Sequence, residues 1–190
     1  MKTVGFTRME DGTREDYLFL ARLKAKHDAG AADRVFACLE GLREGPSGYQ
    51  VDRYEHSLQT ATRALRAGAD EELVVCALLH DIGDNLAPHN HAAFAAEVLR
   101  PYVSNENYWL VEKHGIFQGY YFWHHYGLDR HAREKYRGHP CFERTALFCE
   151  RWDQPAFDPD YDTLPLEAFE PMLRRIFARE PFSHAQPSAS

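Results

Sequence analysis

Glu71-Glu72-Leu73-Val74-Val75-Cys76-Ala77-Leu78-Leu79-His80-Asp81-Ile82 is the stretch whose reading decides the fold. Gly68 stops the preceding helix, Asp70 can cap the next one, and residues 71–82 predict a short, strongly apolar helix. That helix ends in His80 and Asp81. Two ionisable groups at the end of a buried helix need partners, because an unpaired carboxylate taken out of water is costly.

Upstream, residues 52–67 predict a helix with Tyr54, Leu58, Ala61 and Leu65 along one side. His56, Gln59, Thr60 and Arg63 fall on the other side at i, i+3, i+4 and i+7, so that side faces either solvent or a site. Downstream, His91, Phe94, Ala95, Val98 and Leu99 follow i, i+3, i+4, i+7 and i+8. A further helix from about residue 105 carries Leu110, Val111, His114 and Phe117 on one face. Both patterns align a histidine with an apolar stripe, so His91 and His114 are expected to point inward.

Further out, residues 11–42 predict two packing helices broken near Gly30. The first has an apolar face of Tyr17, Leu18, Leu20, Ala21 and Leu23, and the second of Val35, Phe36 and Leu39. Gly45, Pro46, Ser47 and Gly48 predict a loop ahead of His56. The aromatic tract 117–126 reads as irregular, helix resumes by about Cys141, and residues 155–165 form a connector before an amphipathic last helix over 166–178. No repeat and no alternating strand pattern occurs, so the class is all-α. One helical domain is expected over 1–182, with the site's core over about 49–165 and a disordered tail over 183–190.

The 190-residue chain carries a formal net charge of -7 and is 44% hydrophobic. A phosphate backbone selects for clustered Lys and Arg, so neither nucleic acid nor an anionic membrane surface is the expected partner. A small-molecule substrate is. Cys38, Cys76, Cys141 and Cys149 show no CxxC spacing, and two of them sit in apolar helical stretches, which fits reduced thiols in a cytoplasmic protein. Residues 1–10 lack a basic segment followed by an apolar run, and no stretch is long enough to span a bilayer, so neither export nor insertion is expected.

Eleven histidines are present, of which His27, His89, His131, His139 and His184 need no role beyond solvation or local hydrogen bonding. The adjacent His80-Asp81 pair is either a buried hydrogen-bonded couple or a pair of metal ligands. His56, His91, His114 and Asp153 extend it to four imidazoles and two carboxylates. Such a mixed nitrogen and oxygen set suits iron, manganese or zinc better than magnesium or calcium.

His56, then His80-Asp81, then Asp153 resembles the H…HD…D signature of the HD superfamily, over roughly residues 49–165. Those four positions alone would imply a one-metal phosphohydrolase, whereas His91 and His114 resemble the added ligands of two-metal members. His56-Ser57-Leu58-Gln59-Thr60-Ala61 resembles the HxxQTA segment of myo-inositol oxygenase. Arg151-Trp152-Asp153 resembles the end of the site in the related phosphonate-cleaving oxygenases. The resemblance implies a helical bundle with its metal site between central helices, holding an Fe(II)/Fe(III) pair, with manganese or other divalent ions as the alternative. It further implies that His56, His80, Asp81 and Asp153 hold one iron, that His91 and His114 hold the other, and that Asp81 bridges them. The activity implied is dioxygen-dependent oxidative cleavage of a small hydroxylated substrate.

Neither relative's substrate carries over. Asp84 stands where the inositol oxygenase has a lysine, and Gln118 where the phosphonate oxygenases have one. Asp84 with Tyr120, Tyr121, Phe122 and Trp123 could hold an ammonium group through ring faces, with Gln118 and Arg151 as further substrate contacts. Those rings could equally be core. Tyr49 is expected on a lid over the open metal position, and Asp81, Tyr49 and Asp84 are the expected catalytic residues. The alternative is a two-metal phosphohydrolase or phosphodiesterase, for which Arg63, Lys113, Arg144 and Arg151 could supply basic groups. A third reading is an HD module that binds without turnover.

Overall fold

Side chains that accept the first free amides set most of the helix starts. In the computed structural model, which describes residues 2–45 and 48–183, Thr13 and Asp16 form a capping box on α1 (Arg14–Asp28). Gly30 precedes α2 (Ala31–Gly41). Asp52 accepts from the Glu55 amide at the start of α3 (Arg53–Arg66), and Asp70 from the Leu73 amide at the start of α4 (Glu71–Leu79). Then come α5 (His91–Leu99), α6 (Asn105–Phe122, capped by Ser104), α7 (Phe142–Phe148) and α8 (Glu170–Phe177). The fold is all-helical, and no strand occurs among the described residues.

Every residue of α4 from Leu73 to Leu79 is buried, as a helix apolar on all sides must be. It packs against α3, α6 and α8, while α5 lies along α6. Phe117, Phe142, Phe148, Phe169 and Leu173 complete the core around it. The helix ends at Leu79, three residues sooner than its composition predicts. Residues 80–86 instead form consecutive turns, with the Ile82 amide on Leu79 O and the Asp84 amide on Asp81 O, and these swing His80 and Asp81 off the end of the buried cylinder.

Three expectations are corrected. Helix α1 buries none of its residues, and Leu18 and Leu23 are exposed. Its ring residues are met by the preceding segment, with Phe6 against Tyr17 and Lys2 over Phe19, instead of by the core. The tract 117–126 is ordered: α6 runs to Phe122, a 3-10 turn covers Trp123–Tyr126, and Gly127 closes it in the left-handed region at φ 71°. Phe117 is locked among Trp109, Tyr136 and Phe142, so packing overrides the weak helix preference of clustered aromatics. The last amphipathic segment is split, a 3-10 turn over Leu166–Ala168 preceding α8. Before His56, Leu42–Glu44 form a 3-10 turn, while Pro46 and Ser47 lie outside the described residues. So does the expected tail, save Ser183, which sits in a turn. No described helix is long and apolar enough to cross a membrane.

Candidate metal centre

His56 comes from the polar side of α3, which is buried and faces the segment after Asp153. His80 and Asp81 come from the turns after α4, His91 from the first residue of α5, and His114 from the middle of α6. Asp153 ends a π-helical turn, Cys149–Asp153, whose extra residue brings both Trp152 and Asp153 inward and leaves Arg151 outside. His56 and His80 are fully buried, and Asp81, His114 and Asp153 nearly so. His91 is half-buried.

Each histidine has its Nδ1 against an oxygen. The hydrogen-bond partners are Ala156 O for His56 (3.0 Å), Ala77 O for His80 (2.8 Å), Val111 O for His114 (2.7 Å) and Pro88 O for His91 (3.5 Å), and Nδ1 of His91 also lies 3.2 Å from the Asp84 carboxylate, at ion-pair distance. A carbonyl or carboxylate oxygen only accepts, so each Nδ1 carries the hydrogen and each Nε2 lone pair is left for another partner. Those lone pairs converge. The Nε2 atoms of His56 and His80 are 3.1 Å apart, a repulsive approach unless a cation or proton lies between them.

Asp81 divides its carboxylate. Its Oδ2 is 3.4 Å from Nε2 of His56 and 3.4 Å from Nε2 of His80, and Asp153 Oδ1 completes this group at 3.4 and 3.7 Å from the same two nitrogens. Its Oδ1 lies instead 3.5 Å from Nε2 of His91 and 3.2 Å from Nε2 of His114. Two ligand atoms each ~2.1 Å from one ion, at tetrahedral to octahedral angles, lie about 3.0–3.4 Å apart. Both groups have that spacing within a few tenths of an ångström. Asp153 Oδ2 is buried without a hydrogen-bond partner among the described residues, a cost that coordination would remove. The residues present therefore fit metal ions.

The electrostatics agree. Burial works against a charged His56, yet the hydrogen bonds it donates to the Asp153 and Asp81 carboxylates push it up to about 9. Burial would raise Asp81, but His80, His114 and His56 hold it well below the ordinary carboxylate range. Asp153 is likewise held low by His56 and His80 against the effect of burial. The cluster is built to hold positive charge, and a metal entering it must displace protons.

A cavity of about 410 Å³ opens onto this cluster. Asp81, His91, His114, Asp153, Gly115 and Gln118 form its floor and side. Tyr49, Arg53, Phe157, Tyr121, Phe122, Trp123 and Gln154 line the rest.

Residues 53–142 match the family model of the HD domain. The match supports the HD superfamily, and with the buried His and Asp cluster it points to a metal-dependent HD enzyme. The HD-domain match takes in His56, His80, Asp81, His91 and His114 and stops short of Asp153. No curated protein matches the chain.

All six expected ligands of the HD domain and its flank are thus brought together. Gln118 and Tyr121 line the cavity, and Gln118 Nε2 donates to Asp153 Oδ1 at 3.0 Å. Tyr49 is at the mouth, 58% exposed, with its ring 4.6 Å from Phe157. Three of the expected substrate contacts lie outside the cavity lining. Asp84 does not line the cavity, because its carboxylate is taken by Arg53 Nε at 3.1 Å and by His91. Tyr120 points away, held under the guanidinium groups of Arg133 and Arg130. Arg151 is exposed on the outer side of the π-helical turn. Arg53 and Phe157 were not anticipated. Arg53 stands three residues before His56, one turn along the same face of α3, and that spacing was a usable signal. Phe157, stacked 4.3 Å from the His56 ring, lies in the connector and gave none.

Proposed function

We propose that this chain is a di-iron oxygenase that uses dioxygen to cleave a small hydroxylated substrate oxidatively. The observation that carries the reading is the division of Asp81 between two histidine groups, which provides one ligand set per ion and a carboxylate shared by both. His56, His80, Asp81 and Asp153 would hold one iron, and His91 and His114 the other with Asp81. Bound there, the pair would supply Lewis acidity for a substrate hydroxyl and electrons for dioxygen.

The cavity wall supports oxygenation over phosphate-ester hydrolysis. A phosphate-binding site calls for several basic groups, yet among the described residues Arg53 is the single Lys or Arg lining the cavity, and it is already paired with Asp84 and Asp81. The basic residues expected for a hydrolase are engaged elsewhere. Arg63 donates to Pro155 O, Lys113 pairs with Glu112, and Arg144 pairs with Glu106 and donates to Asn107. Tyr121, Phe122, Trp123 and Phe157 instead present ring surface that excludes water and favours a substrate with an apolar flank. With Asp84 withdrawn from the cavity, the carboxylates that line it among the described residues are Asp81 and Asp153, both given to the metal ions and not to an ammonium group.

Protein loaded anaerobically with iron is expected to contain two ions per chain. Partly oxidised, it is expected to show the coupled-spin electron paramagnetic resonance signal of an Fe(II)/Fe(III) pair, and hydroxylated compounds that perturb this signal are expected to stimulate dioxygen uptake. Phosphate release from esters that proceeds without oxygen and with manganese alone, with no oxygen uptake on any alcohol, would overturn the oxygenase in favour of a hydrolase.

A further inference from the structure

We infer that Asp84, anchored by Arg53, is the positioning residue that fixes His91 for the second metal ion; this rests on the two-metal reading above. Asp84 touches nothing in the cavity. Its Oδ1 lies 3.2 Å from Nδ1 of His91, and its Oδ2 lies 3.1 Å from Nε of Arg53. Nη1 of Arg53 reaches back to Oδ2 of Asp81 at 3.5 Å, while Oδ1 of Asp81 lies 3.5 Å from Nε2 of His91. The four side chains close a ring: Asp81, His91, Asp84, Arg53 and back to Asp81. An oxygen on Nδ1 fixes both the tautomer and the rotation of a ligating imidazole, and losing such a partner typically costs about 10–100-fold in metal affinity.

His91 needs this more than its neighbours do. The other three imidazoles sit on backbone carbonyls at 2.7–3.0 Å inside buried packing, whereas His91 is 29% exposed, its Nδ1 hydrogen bond to Pro88 O is long at 3.5 Å, and the Asp84 carboxylate at 3.2 Å is the charged group that holds the ring from the other side. Asp84 is therefore the contact that holds the least confined ligand of the set. Arg53 keeps that carboxylate turned to His91 and away from the cavity.

Apo protein titrated with iron(II) under nitrogen tests this, with each site's affinity read separately. Wild type is expected to take two ions. Asp84→Ala is expected to keep the first with unchanged affinity and to bind the second about 10–100-fold more weakly. Asp84→Asn, whose amide oxygen can still face Nδ1 while its NH2 faces Arg53, is expected to recover part of the loss, and Arg53→Ala, which also removes the contact to Oδ2 of Asp81, to weaken the second site without sparing the first. Should Asp84→Ala not fold, Asp84→Ser, too short to reach His91, carries the same expectation. Equal weakening of both sites in Asp84→Ala, no weakening of the second, or no rescue by asparagine would each overturn the role given to Asp84. A wild-type protein that takes one ion would instead overturn the two-metal reading, and this inference with it.

Discussion

At Gly83 a hydrogen stands where any other residue has a carbon. A Cβ there would lie 2.8 Å from both Cα and O of His91 and 3.0 Å from Cβ of Phe94, and the backbone of α5 cannot yield to it as a flexible side chain would. Gly83→Ala is therefore expected to push the start of α5, and His91 with it, off the cluster. Overpacking of this kind costs about 1–3 kcal/mol. Thermal melts of the apo protein and second-site iron affinity are both expected to fall. Gly41→Ala, where nothing lies within 4 Å, is expected to leave both intact. An unchanged second site in Gly83→Ala would mean that α5 tolerates the shift. Among the cluster residues, His91 and His114 were legible in the sequence because their phase along each helix aligned them with apolar neighbours, whereas His56 stood on the polar side of its helix and Asp153 was placed by the resemblance to the H…HD…D signature. The roles of Asp84 and Gly83 were not legible, since both depend on how closely two turns approach, and periodicity does not report that distance.

Among the elements, α4 is the one on which the others are registered, and its N-terminal turn is tied by Glu72. That carboxylate accepts from the Ser104 amide and Asn107 Nδ2, both at 2.7 Å, which joins it to the cap of α6. It also pairs with Arg179, which follows α8 and donates to Tyr102 O. Burial would raise its pKa, but the Ser104 amide, Arg179 and Asn107 together hold it below the ordinary value. A carboxylate depressed in the folded state contributes stability that is present above its unfolded pKa and is lost as pH falls through the folded one. Glu72→Gln is thus expected to destabilise by about 2 kcal/mol at pH 7, with the gap to wild type closing as pH falls below about 4. Urea melts of apo protein across pH 3–7 measure this, and a gap independent of pH would assign the network's value to shape instead of charge. The helices and their starts were legible from caps and breakers such as Asp52, Asp70 and Gly68. The order of the tract 117–126 was not, because Phe117 is held by Trp109 two turns earlier on α6 together with Tyr136 and Phe142, which lie past a turn. For α1 the apolar pattern was real, but its partner proved to be the preceding segment with Phe6.

Across the whole molecule the cluster draws one or two ligands from each of five segments: α3, the turns after α4, α5, α6 and the π-helical turn. Ions bound there would therefore cross-link most of the chain. Without them, two buried carboxylates and converging imidazole lone pairs face one another, relieved in part by Arg53 on Asp81, by Gln118 on Asp153 and by protonation, for which His56 is raised to about 9. Metal that binds the folded state alone stabilises it by RT ln(1 + [M]/Kd), about 2.7 kcal/mol per site at a hundredfold excess over Kd. At about 2–4 °C per kcal/mol for a chain of this length, each filled site is expected to raise the melting temperature by roughly 5–10 °C. Asp81→Ala is expected to abolish most of that rise, since it takes one ligand from each group. Its apo form need be no less stable than apo wild type, because the substitution also removes a buried negative charge. His91→Ala is expected to lose only the second increment. Melts of chelated and iron-loaded protein under nitrogen, run for wild type and both variants, make the comparison. Two separable increments in wild type, one in His91→Ala and almost none in Asp81→Ala are the pattern expected of a shared carboxylate. Equal responses in all three would place the metal-dependent stabilisation outside this cluster.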